Sequence, residues 1–145
     1  MKDILKGLQP EALFRNFESL ARIPRESGNE KEVSDFLVDF AKKNGLEVIQ
    51  DKSMNVIMKK PATKGYEKSK SIILQGHMDM VCIANEGYKI DFKKDPIPLV
   101  VDGDYIKTEG TTLGADNGIA VAMIMTFMES KDLEHPALTG LITVL

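Results

Sequence analysis

The sequence predicts an α/β fold in which a mixed sheet is flanked by helices. Three observations support this class: helical periodicity in the N-terminal third, short β-branched apolar runs after it, and an apolar helical segment between two such runs. The chain has 145 residues, of which 43% are hydrophobic and 28% charged, values that are ordinary for a globular protein. We therefore expect residues 1–145 to form a compact unit with a buried core.

Two amphipathic helices are predicted first. Pro10 and Glu11 open the first helix, because proline and an acidic residue are both favoured in the first helical turn, and Pro24 ends it. The second helix follows residues 27–29 and ends at Gly45, the residue type that commonly follows a helix C-terminus. Apolar residues recur at helical spacing in both segments, so each helix should bury one face.

The period then changes to that of β-structure. Residues 46–50 and 55–59 are predicted to be short strands joined by a tight connection. Residues 71–75 form an apolar run that is typical of a strand covered on both faces. An Asp-Gly pair at residues 102–103 predicts the turn of a hairpin within residues 99–108.

The C-terminal third is predicted to hold a buried helix and a buried strand. Residues 119–130 are apolar nearly all round, and residues 138–145 are another β-branched apolar run. Functional residues of layered α/β sheets collect in loops beyond the carboxyl ends of strands. The loop after residues 71–75 and the glycine-rich turn before residue 119 are therefore the places to search.

Charge and composition argue against several classes of partner. The formal net charge of −3 gives no electrostatic reason to expect a nucleic-acid partner, and we interpret the lysines of residues 59–70 as part of a solvated linker. The single cysteine, Cys82, leaves no second cysteine for an intrachain disulfide, and its apolar neighbours predict a packing role. The longest apolar stretch, residues 119–128, is about half of a bilayer span, so we expect no membrane partner. The single cysteine fits a reducing compartment and residues 1–11 lack the apolar region of a signal peptide, so we expect a cytoplasmic location.

The first candidate site is the segment that follows residues 71–75. Side chains two positions apart in extended backbone point the same way, so His77 and Asp79 can face one cleft. A histidine binds a metal through one ring nitrogen while a carboxylate holds the other N–H group, so this pair suits a metal site. An ordinary strand-end histidine beside a surface aspartate remains the alternative.

The second candidate site is the glycine-bracketed turn at residues 114–118. Its backbone could cradle a phosphate, but the spacing matches neither the dinucleotide fingerprint nor the P-loop. Asp116 could instead bind a cation, or Asp116 or Asn117 could simply cap the following helix. Taken together, His77 and Asp116 offer the nitrogen and oxygen ligands that zinc accepts. The other histidine, His135, is interpreted as a structural or surface residue.

Three segments resemble the N-terminal part of aminoacyl-histidine dipeptidases, the carnosinase-like members of the co-catalytic di-zinc peptidase family. They are GHMDMV at residues 76–81, VVDGDYIKTEGTTLGADNGIAVA at residues 100–122, and EHPALTGLITVL at residues 134–145. The resemblance implies a metallopeptidase, a hydrolase that cleaves Xaa-His dipeptides with water activated by two zinc ions. It implies that His77 ligates one zinc, that Asp116 bridges both, and that Asp79 is the catalytic-site acid that orients His77. It also implies a cis peptide bond between Asp116 and Asn117.

The same resemblance implies that the chain is a truncated part of the catalytic domain. The family's general base and one zinc ligand form a Glu-Glu pair directly after a strand that resembles residues 141–145, and the sequence stops at Leu145. A second zinc histidine, a further acidic ligand and the lid and dimerisation domain would also lie downstream. We therefore expect residues 1–145 alone to be inactive, and the intact protein to be a homodimer that acts on dipeptides.

Several alternatives remain open at this point. Manganese or cobalt could replace zinc, because histidine and carboxylate ligands accept all three metals. The chain could also be a non-catalytic or partner-completed module, or part of another family member such as a tripeptidase or a deacylase.

Overall fold

The α/β class predicted from the sequence is confirmed by a computed structural model, which describes residues 2–145. Its elements in chain order are α1 (Glu11–Ala21), α2 (Lys31–Lys43), β1 (Glu47–Gln50), β2 (Val56–Lys60), β3 (Ile72–His77), β4 (Val100–Asp102), β5 (Tyr105–Lys107), α3 (Ala115–Glu129) and β6 (Leu138–Thr143).

Four of the strands form one mixed sheet with the order β1-β2-β6-β3. β2 is antiparallel to both β1 and β6, whereas β3 and β6 are parallel. The carboxyl ends of β3 and β6 therefore lie at the same edge of the sheet, where His77 is paired with Thr143. β4 and β5 form a separate hairpin whose two-residue turn is Gly103–Asp104, one residue later than the sequence predicted.

Helix α3 packs closely against the sheet and against α1. Gly140 in β6 permits this approach, because a Cβ atom there would lie 2.9 Å from Ile124 Cγ2 and 3.0 Å from Met128 Cε. The core is continuous from the helices to the sheet. Its side chains with no exposed surface are Val33, Leu37, Ala41, Val56, Met58, Met78, Val121, Ala122 and Ile142.

Two expectations about burial are wrong. β3 is an edge strand of the sheet, and α3 covers the face that carries Gly76 but leaves Ile73 on the other face 66% exposed. Helix α3 is not buried all round either, since Met123 and Phe127 on one stripe remain exposed. Apolar composition predicted burial in both elements, but nothing within residues 2–145 covers these two surfaces.

The lysine-containing segment is also more structured than a solvated linker. Lys60 is the last residue of β2, and its ammonium group donates hydrogen bonds to the carbonyl oxygens of Phe127 and Ser130 at the end of α3. Thr63 is joined to His135 by reciprocal backbone and hydroxyl hydrogen bonds. His135 is buried and its Nδ1 lies 2.7 Å from its neighbour's carbonyl oxygen, which confirms the structural interpretation of that histidine.

Among residues 2–145, no helix has both the length and the apolar character that a membrane crossing requires. Cys82 is partly buried and packs against the core, while Val81 and Ile83 on either side of it are exposed. The predicted packing role of Cys82 is confirmed, although its apolar neighbours in sequence contribute little to its burial.

Candidate metal centre

His77 is held in place by the chain on both sides of it. It is the last residue of β3, and its backbone N–H donates a 3.0 Å hydrogen bond to the side-chain oxygen of Asn117. The next residue, Met78, donates its N–H to the carbonyl oxygen of Thr143 at 2.8 Å. Gly76 allows the carboxamide of Asn117 to approach, because a Cβ atom at this position would lie 2.6 Å from its oxygen.

The imidazole of His77 is oriented by Asp79, as the spacing of the two residues predicts. Nδ1 of His77 lies 2.9 Å from Oδ1 of Asp79, a carboxylate that is buried in the structure. The hydroxyl group of Ser27 donates a hydrogen bond to the other oxygen of the same carboxylate. An ionised carboxylate only accepts hydrogen bonds, so the contact with Asp79 favours the tautomer with a proton on Nδ1, and in that tautomer Nε2 keeps a lone pair that a metal ion can accept.

Asp116 lies on the other side of this lone pair. Its Oδ1 is 3.1 Å from Nε2 of His77, and 93% of its side chain is exposed. The peptide bond between Asp116 and Asn117 is cis, which confirms what the resemblance implies. The structure therefore brings together all three residues that the sequence singles out, His77, Asp79 and Asp116.

The two other interpretations of the glycine-rich turn are not supported by its geometry. Asp116 and Asn117 have non-helical backbone angles, so the regular part of α3 begins after them, but the described residues show no hydrogen bond from a helix N–H group to either side chain, and the carboxamide oxygen of Asn117 accepts the N–H of His77 instead. A phosphate cradle would require available N–H groups, but Gly118 donates its N–H to the carbonyl oxygen of Gly114 at 3.0 Å. The exposed carboxylate of Asp116 would also repel an anion.

The geometry fits a shared cation between the two side chains. Nε2 of His77 and Oδ1 of Asp116 are both electron-pair donors, so their 3.1 Å contact is favourable only with a proton or a metal ion between them. Two ligands of one tetrahedral zinc ion, each at about 2.0–2.2 Å from it, lie roughly 3.3–3.6 Å apart, close to the separation seen here. Within residues 2–145, however, no group of three His, Cys, Asp or Glu side chains is arranged to hold a metal ion.

Arg25 is the most important site residue that sequence reasoning missed. It is 2% exposed, and its two terminal nitrogens donate hydrogen bonds to the carbonyl oxygens of Met78 and Gly114, at 3.1 and 2.8 Å. Burial lowers the pKa of its guanidinium group to about 10. No spacing pattern in the sequence links Arg25 to the site, because both of its partners are backbone atoms distant along the chain.

Known proteins that are similar to this chain in sequence and in structure include dipeptidases. No family model matches the chain. The cytosol non-specific dipeptidase of Escherichia coli strain K12 is 39% identical over 140 residues, which are 97% of this chain and 29% of that protein. The crystal structure of aminoacylhistidine dipeptidase from Vibrio alginolyticus superimposes with a TM-score of 0.94 at 38% identity.

The chain resembles part of an aminoacylhistidine dipeptidase. The match covers 99% of this chain and 29% of the Vibrio protein, so the resemblance stated from the sequence is confirmed. A tripeptidase from Staphylococcus aureus shares the fold with a TM-score of 0.72 at 24% identity, over 92% of this chain and 36% of that one. The chain therefore spans about a third or less of the length of these relatives.

Proposed function

We propose that this chain forms part of the catalytic domain of a metal-dependent peptidase, in which His77 and Asp116 are metal ligands. The observation that carries the proposal is the approach of Nε2 of His77 to Oδ1 of Asp116, at the edge of the sheet where parallel strands end. The similarity to two dipeptidases over nearly the whole chain supports the same class of reaction.

Asp79 acts on the metal ligand rather than on the metal. It accepts a hydrogen bond from the Nδ1–H group of His77, which favours the tautomer whose Nε2 is available to a metal ion. The hydrogen bond from Ser27 occupies the second oxygen of Asp79, so that this carboxylate remains directed at the ring. Asp116 keeps its second oxygen exposed and available to a further metal ion, as a bridging carboxylate requires.

A metal ion in this place would polarise a peptide carbonyl and lower the pKa of a bound water molecule. We propose zinc, with manganese or cobalt as alternatives, two ions per complete site, and short peptides as substrates. The name of the Vibrio relative supports dipeptides that end in histidine, whereas that of the Escherichia coli relative supports broader dipeptide use. A cytoplasmic location and a homodimeric complete protein belong to the same proposal.

The small number of metal ligands in the chain supports a site that is completed by other residues. A protein-bound zinc ion usually has three or four protein ligands, and residues 2–145 bring only His77 and Asp116 to this place. The missing ligands and the general base would come from further polypeptide, either in a longer protein or in a partner chain. We therefore propose that residues 1–145 alone are inactive.

Metal binding by the 145-residue chain tests the ligand assignment. Equilibrium dialysis against zinc followed by elemental analysis should give one weakly bound ion per chain, rather than the two of a complete site. His77→Ala and Asp116→Asn should each abolish this binding, whereas His135→Gln, the matched variant at the other histidine, should retain it. Binding that survives both site substitutions would contradict the proposal.

Peptide hydrolysis tests whether the site is complete. The chain is incubated with zinc and a panel of Xaa-His and Xaa-Leu dipeptides, and the released amino acids are quantified by mass spectrometry. We expect the same background rate for the natural chain and for His77→Ala. A hydrolysis rate that His77→Ala abolishes would show a complete active site within residues 1–145. It would refute the proposal that the site needs ligands and a general base from further polypeptide.

A partner-completed module is the second candidate function. The observation that favours it is the exposure of Asp116, whose carboxylate faces outward and is accessible to ligands from another polypeptide. If the gene product is this chain alone, zinc-dependent association with a second protein should be measurable by sedimentation and should be lost in Asp116→Asn.

A further inference from the structure

Arg25 contacts the two segments that carry the proposed metal ligands, namely residues 77–80 at the end of β3 (the His77 loop) and residues 114–118 at the irregular start of α3 (the Asp116 loop). One terminal nitrogen donates to the carbonyl oxygen of Met78, between His77 and Asp79, and the other donates to the carbonyl oxygen of Gly114, two residues before Asp116. These two loops belong to different parts of the chain. A single planar side chain therefore connects the His77 loop to the Asp116 loop.

The backbone of Arg25 is attached to the first loop as well. Its carbonyl oxygen accepts the N–H of Met80 at 2.9 Å, and Glu26 forms an isolated parallel bridge with the same residue. Both the backbone and the side chain of Arg25 are therefore hydrogen-bonded to the segment that follows His77. This double attachment separates Arg25 from an arginine that merely fills space in a core.

The glycines of the second loop make room for this guanidinium group. A Cβ atom at Gly114 would lie 2.6 Å from the terminal nitrogen Nη2 of Arg25, and a Cβ atom at Gly118 would lie at the same distance. Two small residues on one loop, both facing one buried cation, indicate that the loop is shaped around Arg25.

The arrangement is energetically expensive, which argues for a specific role. Arg25 is almost fully buried, and its Nε atom has no hydrogen-bond partner within residues 2–145. A buried unsatisfied donor and a buried cation both oppose folding, and an apolar side chain of similar size would avoid both costs. An apolar side chain, however, could not supply the two coplanar N–H donors with which arginine connects two carbonyl oxygens.

We propose that Arg25 is a positioning residue that sets the distance between His77 and Asp116 by joining the backbones of their two loops. The inference deepens the proposed function, on which it rests, because it assigns the element that arranges the ligands before any metal binds. Arg25 contacts neither metal nor substrate in this account. Its effect passes through the carbonyl oxygens of Met78 and Gly114.

Hydrogen exchange in the metal-free chain tests this inference. The informative amides are His77, which donates to the side chain of Asn117, and Gly118, which donates to Gly114. Arg25→Lys keeps the positive charge but removes the planar guanidinium group. In this variant both amides should exchange about ten times faster, while the exchange rates of the β2 amides should not change. Arg15→Lys, a change at an exposed arginine on α1, is the matched control and should leave all of them unchanged.

Chemical rescue separates positioning from general stabilisation. In Arg25→Ala, millimolar guanidinium should restore the protection of His77 and Gly118, because the ion can bind between the two carbonyl oxygens, whereas methylammonium should not. If Arg25→Ala does not fold, Arg25→Lys decides alone. Unchanged protection at both amides, or equal loss of protection throughout the chain, would overturn the inference.

The two proposals fail in distinguishable ways. The exchange measurement uses no metal, so a chain that binds no zinc would refute the proposed function and leave the role of Arg25 in loop geometry measurable. A chain that binds zinc equally well with arginine or lysine at position 25, with unchanged exchange, would retain the proposed function and refute the inference.

Discussion

Replacement of Gly114 by alanine tests how tightly the metal-site loop is packed. Gly114 has φ of +80° and directly precedes α3. A Cβ atom added there would lie 2.6 Å from Nη2 of Arg25 and 2.6 Å from the sulfur of Met80, both of which belong to buried side chains. The substitution therefore combines a backbone cost with a steric cost.

Gly87 provides a matched control for the backbone cost. Its φ is +79°, and a Cβ atom there would meet nothing within 4 Å. Left-handed backbone costs a non-glycine residue about 1–2 kcal/mol, and this cost is common to Gly87→Ala and Gly114→Ala. Overpacking of a buried site costs about 1–3 kcal/mol more, which applies to Gly114→Ala alone.

Urea unfolding followed by circular dichroism measures the difference between the two variants. We expect Gly114→Ala to lower the free energy of unfolding by about 1–3 kcal/mol more than Gly87→Ala does. The slope of the free energy of unfolding against urea concentration should be the same for both variants. Equal destabilisation of the two variants would refute the close packing of Arg25 and Met80 against this loop.

Three further predictions concern other parts of the molecule. Ser34→Ala should lower the free energy of unfolding in urea by about 1–3 kcal/mol, because the buried hydroxyl donates to the carbonyl oxygen of Met54 and accepts from the side chain of Gln50. Lys60→Met should lower it by about 1–2 kcal/mol and increase hydrogen exchange in the last turn of α3, whose carbonyl oxygens lose a cationic donor. Burial raises the pKa of the Cys82 thiol, so the thiolate forms at higher pH in the folded chain, and the pH midpoint of its alkylation by iodoacetamide should be more alkaline than in the urea-unfolded chain.

The helices were predictable because their signals are local. Proline and glycine mark their ends, and the apolar period marks their buried faces, so α1 and α2 lie where the sequence predicts them. The order of the strands was not predictable in the same way. The last strand, β6, lies between β2 and β3, a pairing that depends on packing between distant segments and leaves no local pattern.

Part of the candidate site could likewise be predicted from spacing. His77 and Asp79 are two positions apart, so their mutual orientation follows from extended backbone. Asp116 was predicted as a third site residue from its place in a glycine-rich turn and from the resemblance to aminoacyl-histidine dipeptidases. Arg25 escaped prediction because its partners are backbone carbonyl oxygens that lie 53 and 89 positions away. A buried charge of this kind becomes visible only when the fold is known.

The state of the His77 imidazole is the most direct test of the proposed metal centre. The chain has two histidines, so nitrogen NMR of a ¹⁵N-labelled sample resolves His77 from His135, which is buried elsewhere and serves as an internal control. On addition of zinc, we predict a change in the Nε2 resonance of His77, retention of its Nδ1 proton, and no change at His135. An unchanged His77 spectrum, or an equal response from both histidines, would contradict the account.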